Sequence, residues 1–166
     1  MLKDTVDTRK LWELIKDIRF AMVTCQGAEG QLRSQPMTTL NGHRDRGGVL
    51  WFFMSRDSHP VAAIEEHPEV AVTYADPGSD SYVSISGAAR VVEDIERKRA
   101  MWTASAEAWF PGGPADPELA LVAVLIAEAE YWDVQSNRVV KLFEIARAAV
   151  AGTSPRQAGE QRRVRM

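Results

Sequence analysis

The sequence predicts an antiparallel β-barrel with a few covering helices, a mainly β fold of the α+β type. Three observations carry that expectation. Short apolar runs rich in Val, Ile and aromatic residues, at 49–54, 69–75 and 81–92, are bounded by turn residues. Gly-containing turns join several of these runs directly, which suits hairpins rather than parallel crossovers. Helical spacing is confined to a few segments, so helices act as covers on a sheet that closes on itself.

Each element has its own signal. Val6, Leu11, Leu14, Ile15 and Ile18 lie at helical spacing, with Asp4, Asp7 and Thr8 as N-caps, and give a first amphipathic helix. Strands over 20–26 and 31–40 follow, separated by Gly27-Ala28-Glu29-Gly30, whose glycines can supply a positive φ. Val49 to Met54 is a buried strand, being short, aromatic and flanked by turn residues. A short helix opens at Asp57-Ser58-His59-Pro60 and runs to about His67. Pro60 fits its first turn and Pro68 ends it.

Strands at 69–75 and 81–92 come next, joined through Asp76-Pro77-Gly78-Ser79-Asp80. Asp94 caps a charged helix to about Ala108, and 109–114 is irregular because of its prolines and glycines. Two further strands are expected, at 119–127 and 129–135. A last helix over about 138–150 is stopped by Gly152. The barrel domain is thus 1–152, and 153–166 reads as a basic, disordered tail.

The chain has 166 residues, 45% hydrophobic and 26% charged, which suits one soluble domain with a sizeable core. Net charge is −3, and the tail from Thr153 contributes +3, so the body carries −6. A body of that sign is a poor general binder of nucleic acid. Cys25 is the only cysteine, which excludes an internal disulfide and fits a buried packing role. Without a long apolar run, no membrane segment is expected, and the cytoplasm is the default location. The three histidines have no ligand-like spacing, so no metal site is expected.

Several segments together resemble one family. They are Arg33-Ser34-Gln35-Pro36-Met37-Thr38, the run Leu50 to Pro60, Pro68 to Tyr74, Ile85 to Val92, Ala108 to Gly113, and Ala129 to Asp133. In this order they resemble the general stress protein 26-like branch of the pyridoxamine 5′-phosphate oxidase-like flavin-binding proteins. The resemblance implies a split β-barrel of the FMN-binding type, working as a homodimer with FMN held in the cleft between subunits. It places Arg33, Ser34, Gln35, Pro36, Met37 and Thr38 along the flavin ring, Arg33 pointing towards the phosphate or ribityl end. It places the phosphate at the strand-to-helix junction of Phe53, Met54, Ser55, Arg56, Ser58 and His59. Late aromatics, Trp132 and Trp109, either approach the flavin or bury the subunit interface.

The junction also makes sense without the family. A helix N-terminus offers free N–H groups and partial positive charge to a dianionic phosphate. Ser55 and Ser58 add hydroxyl donors, Arg33 and Arg56 add charge. The ordinary alternative is that Ser58 only caps the helix and Arg56 is a solvated loop residue.

Three functions follow. The first is an FMN-binding protein of the general-stress type, a flavin-dependent oxidoreductase or flavin carrier acting on an unknown small molecule. The second is a non-catalytic homodimeric binding module that has lost FMN. The third uses another cofactor, haem or a deazaflavin. Oxidation of pyridoxamine phosphate is disfavoured, because the Arg-His-Arg type of ending that grips that substrate has no counterpart after Trp132.

One departure bears on affinity. Relatives usually carry Lys where this chain has Pro60, and the loss of a charge-assisted hydrogen bond costs about 1.5–3 kcal/mol. The expectation is weaker or pH-dependent FMN binding, with His59 or Arg56 compensating in part. Titration of FMN into apoprotein at pH 6 and pH 8 checks it, and a tight complex indifferent to pH contradicts it.

Overall fold

The computed structural model describes residues 6–42, 47–133 and 160–165. Its elements in chain order are α1 (Val6–Ile15), β1 (Ala21–Gln26), β2 (Leu32–Met37), β3 (Val49–Ser55), α2 (His59–Glu66), β4 (Glu69–Asp76) and β5 (Ser81–Val92). Then come α3 (Ile95–Ala100), α4 (Ala104–Trp109), β6 (Leu119–Asp133) and β7 (Glu160–Arg165). The expected last helix and its stop at Gly152 lie outside the described residues.

One sheet contains every strand, in the order β2-β1-β4-β5-β6-β3, with β7 also paired to β6. Every pairing is antiparallel. The sheet curls into a split barrel. Its interior is filled by alternate side chains, among them Val23, Phe52, Val72, Ile85, Val122 and Tyr131, each no more than 1% exposed. Leu11, Trp12 and Ile15 of α1 join this core, and so do Val61, Ala63 and Ile64 of α2. The amphipathic spacing of α1 therefore does what it predicts.

A second, smaller core lies on the opposite face of β3 and β6. Trp51 and Phe53 meet Leu119, Leu121 and Ala123 there, under Ala106 of α4. Strand β3 is thus buried on both faces, which explains its unbroken apolar sequence. Trp102 and Phe110 bracket the Phe53 ring, with centroids 5.6 and 6.5 Å away. These contacts fix α4 over β3.

Three expectations need correction. The charged helix 94–108 is two helices, because the Thr103 hydroxyl accepts from Ala106 N–H at 3.1 Å and starts a new helix after Met101 and Trp102. The strands expected at 119–127 and 129–135 are one continuous strand, β6. Its inward set runs Ala120, Val122, Val124, Ile126 and then Ala129, Tyr131, Asp133. The change of phase comes from Ala127, the residue skipped where Ser86 pairs with Glu128 and Gly87 with Ile126. Finally, the tail is not disordered throughout. Residues 160–165 pair with 128–133, and Arg163 sits 3.2 Å from the Glu128 carboxylate.

Gly87 makes the bulge possible. A β-carbon there would lie 2.2 Å from the carbonyl oxygen of Leu125, and backbone cannot rotate away. Gly87→Ala is expected to destabilise the fold by about 1–3 kcal/mol, the usual cost of overpacking, read as a lower denaturant midpoint.

Candidate functional site

The two ends of the sheet, β2 and β3, come together only in part. Beyond β2, Leu40 N–H donates to Trp51 C=O at 2.9 Å. The Asn41 carboxamide donates to Val49 C=O at 2.8 Å and accepts from Trp51 N–H at 2.9 Å. This latch closes one end of the barrel. Towards Pro36 and Ser55 the strands part, and a cavity of about 560 Å³ occupies the split. That is within the usual range for a small-molecule or cofactor site.

Pro36, Met37, Thr38 and Leu40 line one wall, and Phe53, Met54, Ser55 and Ser58 another. The α4 segment adds Thr103, Ser105, Ala106, Trp109 and Phe110, and Phe20, Pro111, Asp116 and Glu118 also line the cavity. Trp109 is 80% exposed although it borders the cavity, so its ring stands ready for a contact that the chain itself does not make.

The position of each expected residue follows from strand register. Ser34 lies opposite Thr24 on β1, and their hydroxyls are 2.6 Å apart. Arg33 and Gln35 lie opposite Cys25 and Val23 and do not line the cavity. Pro36 is tolerated because β2 is the edge of the sheet. Arg56 turns away from the cavity. Its Nε donates to Pro117 C=O at 3.1 Å and its terminal nitrogen pairs with Glu93. His59 is the first residue of α2 and does not line the cavity. Trp132 sits in β6 between Tyr82 of β5 and Gln161 of β7, also away from the cavity of the single chain.

Ser58 is the most informative of the set. It occupies the N-cap position of α2 with extended backbone, φ −73° and ψ 151°, yet its hydroxyl makes no capping bond. That oxygen is buried without a hydrogen-bond partner while the residue lines the cavity. The Ser58 hydroxyl therefore does not cap α2. A buried hydroxyl left unpaired costs stability. Ser55 differs, since its hydroxyl donates to the Asp57 carboxylate at 2.5 Å.

Sequence reasoning missed Phe20, Leu40, Thr103, Ser105, Phe110, Asp116 and Glu118. Thr103 carried a usable signal, a capping residue inside an otherwise helical stretch. Asp116 and Glu118 look like an ordinary polar turn around Pro117, and Asp116 does cap it, accepting from Glu118 N–H at 2.9 Å. Among the described residues, no group of three His, Cys, Asp or Glu side chains is arranged to hold a metal ion. No helix there is long and apolar enough to cross a membrane.

Next to the split, Thr39 holds the chain to the barrel through Tyr74, hydroxyl to hydroxyl at 2.7 Å. Burial pushes the Tyr74 phenol up to about 12 from an ordinary 10.0, the bond to Thr39 pulling slightly the other way. Burial likewise raises the Cys25 thiol. The folded value of Tyr74 exceeds the unfolded one, so its contribution is complete below about pH 10 and is lost as pH climbs towards 12. Denaturant midpoints should fall more steeply over that window in the native chain than in Tyr74→Phe.

Comparison with known proteins agrees with this geometry. The family model described as pyridoxamine 5′-phosphate oxidase like matches residues 6–156. The protein bli-3 of Neurospora crassa is 24% identical over 144 residues, covering 81% of this chain and 68% of its own length. General stress protein 26 of Bacillus subtilis is 32% identical over 81 residues, 47% of this chain and 57% of that one, so the match spans little more than half of it. A crystal structure assigned to general stress protein 26 from Jannaschia sp. CCS1 superposes with TM-score 0.75 at 26% identity, over 98% of this chain and all of the other. The general stress FMN/FAD binding protein of Xanthomonas citri superposes with TM-score 0.66 at 32% identity, over 76% and 87%. The split between β2 and β3 and the family match along the chain give one answer: this protein belongs to the pyridoxamine 5′-phosphate oxidase-like family, and its relatives and structural neighbours include proteins named general stress protein 26.

Proposed function

We propose that the chain binds FMN in the split between β2 and β3, with a second copy completing the cleft, and serves as a flavin-dependent oxidoreductase or flavin carrier. One observation carries the reading: the buried, unpartnered Ser58 hydroxyl at the N-terminus of α2, lining an otherwise largely apolar cavity. A flat ring suits the walls of Met37, Leu40, Phe53 and Phe110, and a hydroxyl-bearing tail suits Ser58. The name of the Xanthomonas citri neighbour, an FMN/FAD binding protein, supports a flavin.

A second copy is supported by β2. Every residue from Leu32 to Pro36 is exposed and only Met37 is partly covered, with Leu32 at 73%. Such a strand gains little from its own chain, and an unpaired strand edge invites a partner.

A flavin, when bound, supplies the electron chemistry itself. The chain's part is to hold the ring between β2 and β3, to anchor the tail by the Ser58 hydroxyl and the free N–H groups of α2, and to keep water off the ring with Phe110 and Trp109. Asp116 and Glu118 are the titratable side chains among the described lining residues, so these carboxylates are the groups of the wall that can deliver a proton.

The test is an absorbance scan of the purified protein, then FMN titration, sedimentation and assays of NADH and NADPH oxidation. Flavin bands and a dimer are expected. Ser58→Ala should weaken FMN by about 3- to 10-fold, the worth of one hydrogen bond. A colourless monomer that ignores FMN, or a haem Soret band, would defeat the proposal.

A further inference from the structure

The charge around the tail end of the cavity has a sign that a phosphate dianion does not favour. Asp116 and Glu118 line the cavity, and among the described residues no Lys, Arg or His does. Glu118 stands at the Ser55–Ser58 junction, because its C=O accepts from Arg56 N–H at 2.8 Å and its neighbour Leu119 pairs with Ser55. The nearby cations are already engaged. Arg56 is held by Glu93 and Pro117, and buried Lys98 donates to Leu119 C=O at 2.7 Å. Ser55 spends its hydroxyl proton on Asp57. Pro60, in the first turn of α2, has neither charge nor N–H to offer. Within one chain, what remains among the described residues to attract a phosphate is the α2 N-terminus and Ser58, in a cavity that Asp116 and Glu118 also line.

Resting on the flavin reading above, we propose that Glu118 sets the specificity of this cavity. Its charge offsets the attraction of α2 for a phosphate, so the site takes a flavin ending in hydroxyls, riboflavin, about as readily as FMN. Glu118 acts at a distance through solvent, as a specificity-determining residue, and Ser58 bonds either tail.

Quenching of flavin fluorescence measures both ligands on the full chain at low salt, where surface charge is least screened. In the native protein the two dissociation constants should agree within about threefold, well under the difference a dedicated phosphate site gives. Glu118→Gln should tighten FMN by about two- to fivefold, the effect of removing one unit charge near a dianion through solvent, and leave riboflavin unchanged. Unchanged riboflavin binding also shows that the variant is folded. Ser58→Ala should weaken both flavins alike. FMN binding about 30-fold or more tighter than riboflavin in the native chain overturns the inference while leaving the flavin reading intact. So does an equal effect of Glu118→Gln on both ligands. If neither flavin binds, the flavin reading falls and this inference falls with it.

Discussion

The incomplete closure between β2 and β3 governs the molecule. A barrel has no edges when its first and last strands pair along their whole length. Here they are joined at one end by Leu40 and the two-way carboxamide of Asn41, and part company beyond it. The part left open is the cavity. Strand order, the covering helix α4 and the position of Ser58 all take their meaning from that gap. Phe53 and Met54 show how economically it is built. One faces the small outer core and the other the barrel interior, yet both border the opening.

Two cores of unequal size share β3 and β6. The interior one resembles that of any small barrel and accounts for most buried apolar surface. The outer one exists because α3 and α4 shield Trp51 and Phe53, with Arg97 stacked 4.6 Å above the Trp51 ring. Lys98 fastens α3 to the start of β6 through the Leu119 carbonyl, a buried ammonium that also has the Glu93 carboxylate 3.9 Å away. At the other end of β6, Lys10 of α1 pairs with buried Asp133. The long strand is thus pinned at both ends by charge.

Much of this was legible in the sequence where local rules agree with the tertiary outcome. The 81–92 strand, the Pro60 helix start and the buried run at 49–54 fall where propensity and pattern put them. What escaped was non-local. A period-of-two reading breaks β6 near residue 128, because the extra residue Ala127 shifts the alternation and only the partner strand shows that pairing continues. Composition marks 160–165 as a solvated tail, since nothing in that segment reveals the free edge of β6 that it finds. In the site, Pro36 to Thr38, Phe53 to Ser55, Ser58 and Trp109 line the cavity. Arg56 does not, because Glu93, far away in sequence, claims its guanidinium. Asp116 and Glu118 were invisible, because a carboxylate beside a proline reads as turn chemistry until the fold brings it to a cavity.

The seating of β7 carries a last implication. Along one side of β6, β3 occupies the first half and β7 the second, end to end. Peeling β7 off would bare a row of amide and carbonyl groups at 128–133, the kind of template on which chains stack into aggregates. The guard is partly electrostatic, Arg163 against Glu128 and Glu130. Colloidal behaviour of this protein is therefore coupled to ionic strength through a strand remote from its cavity.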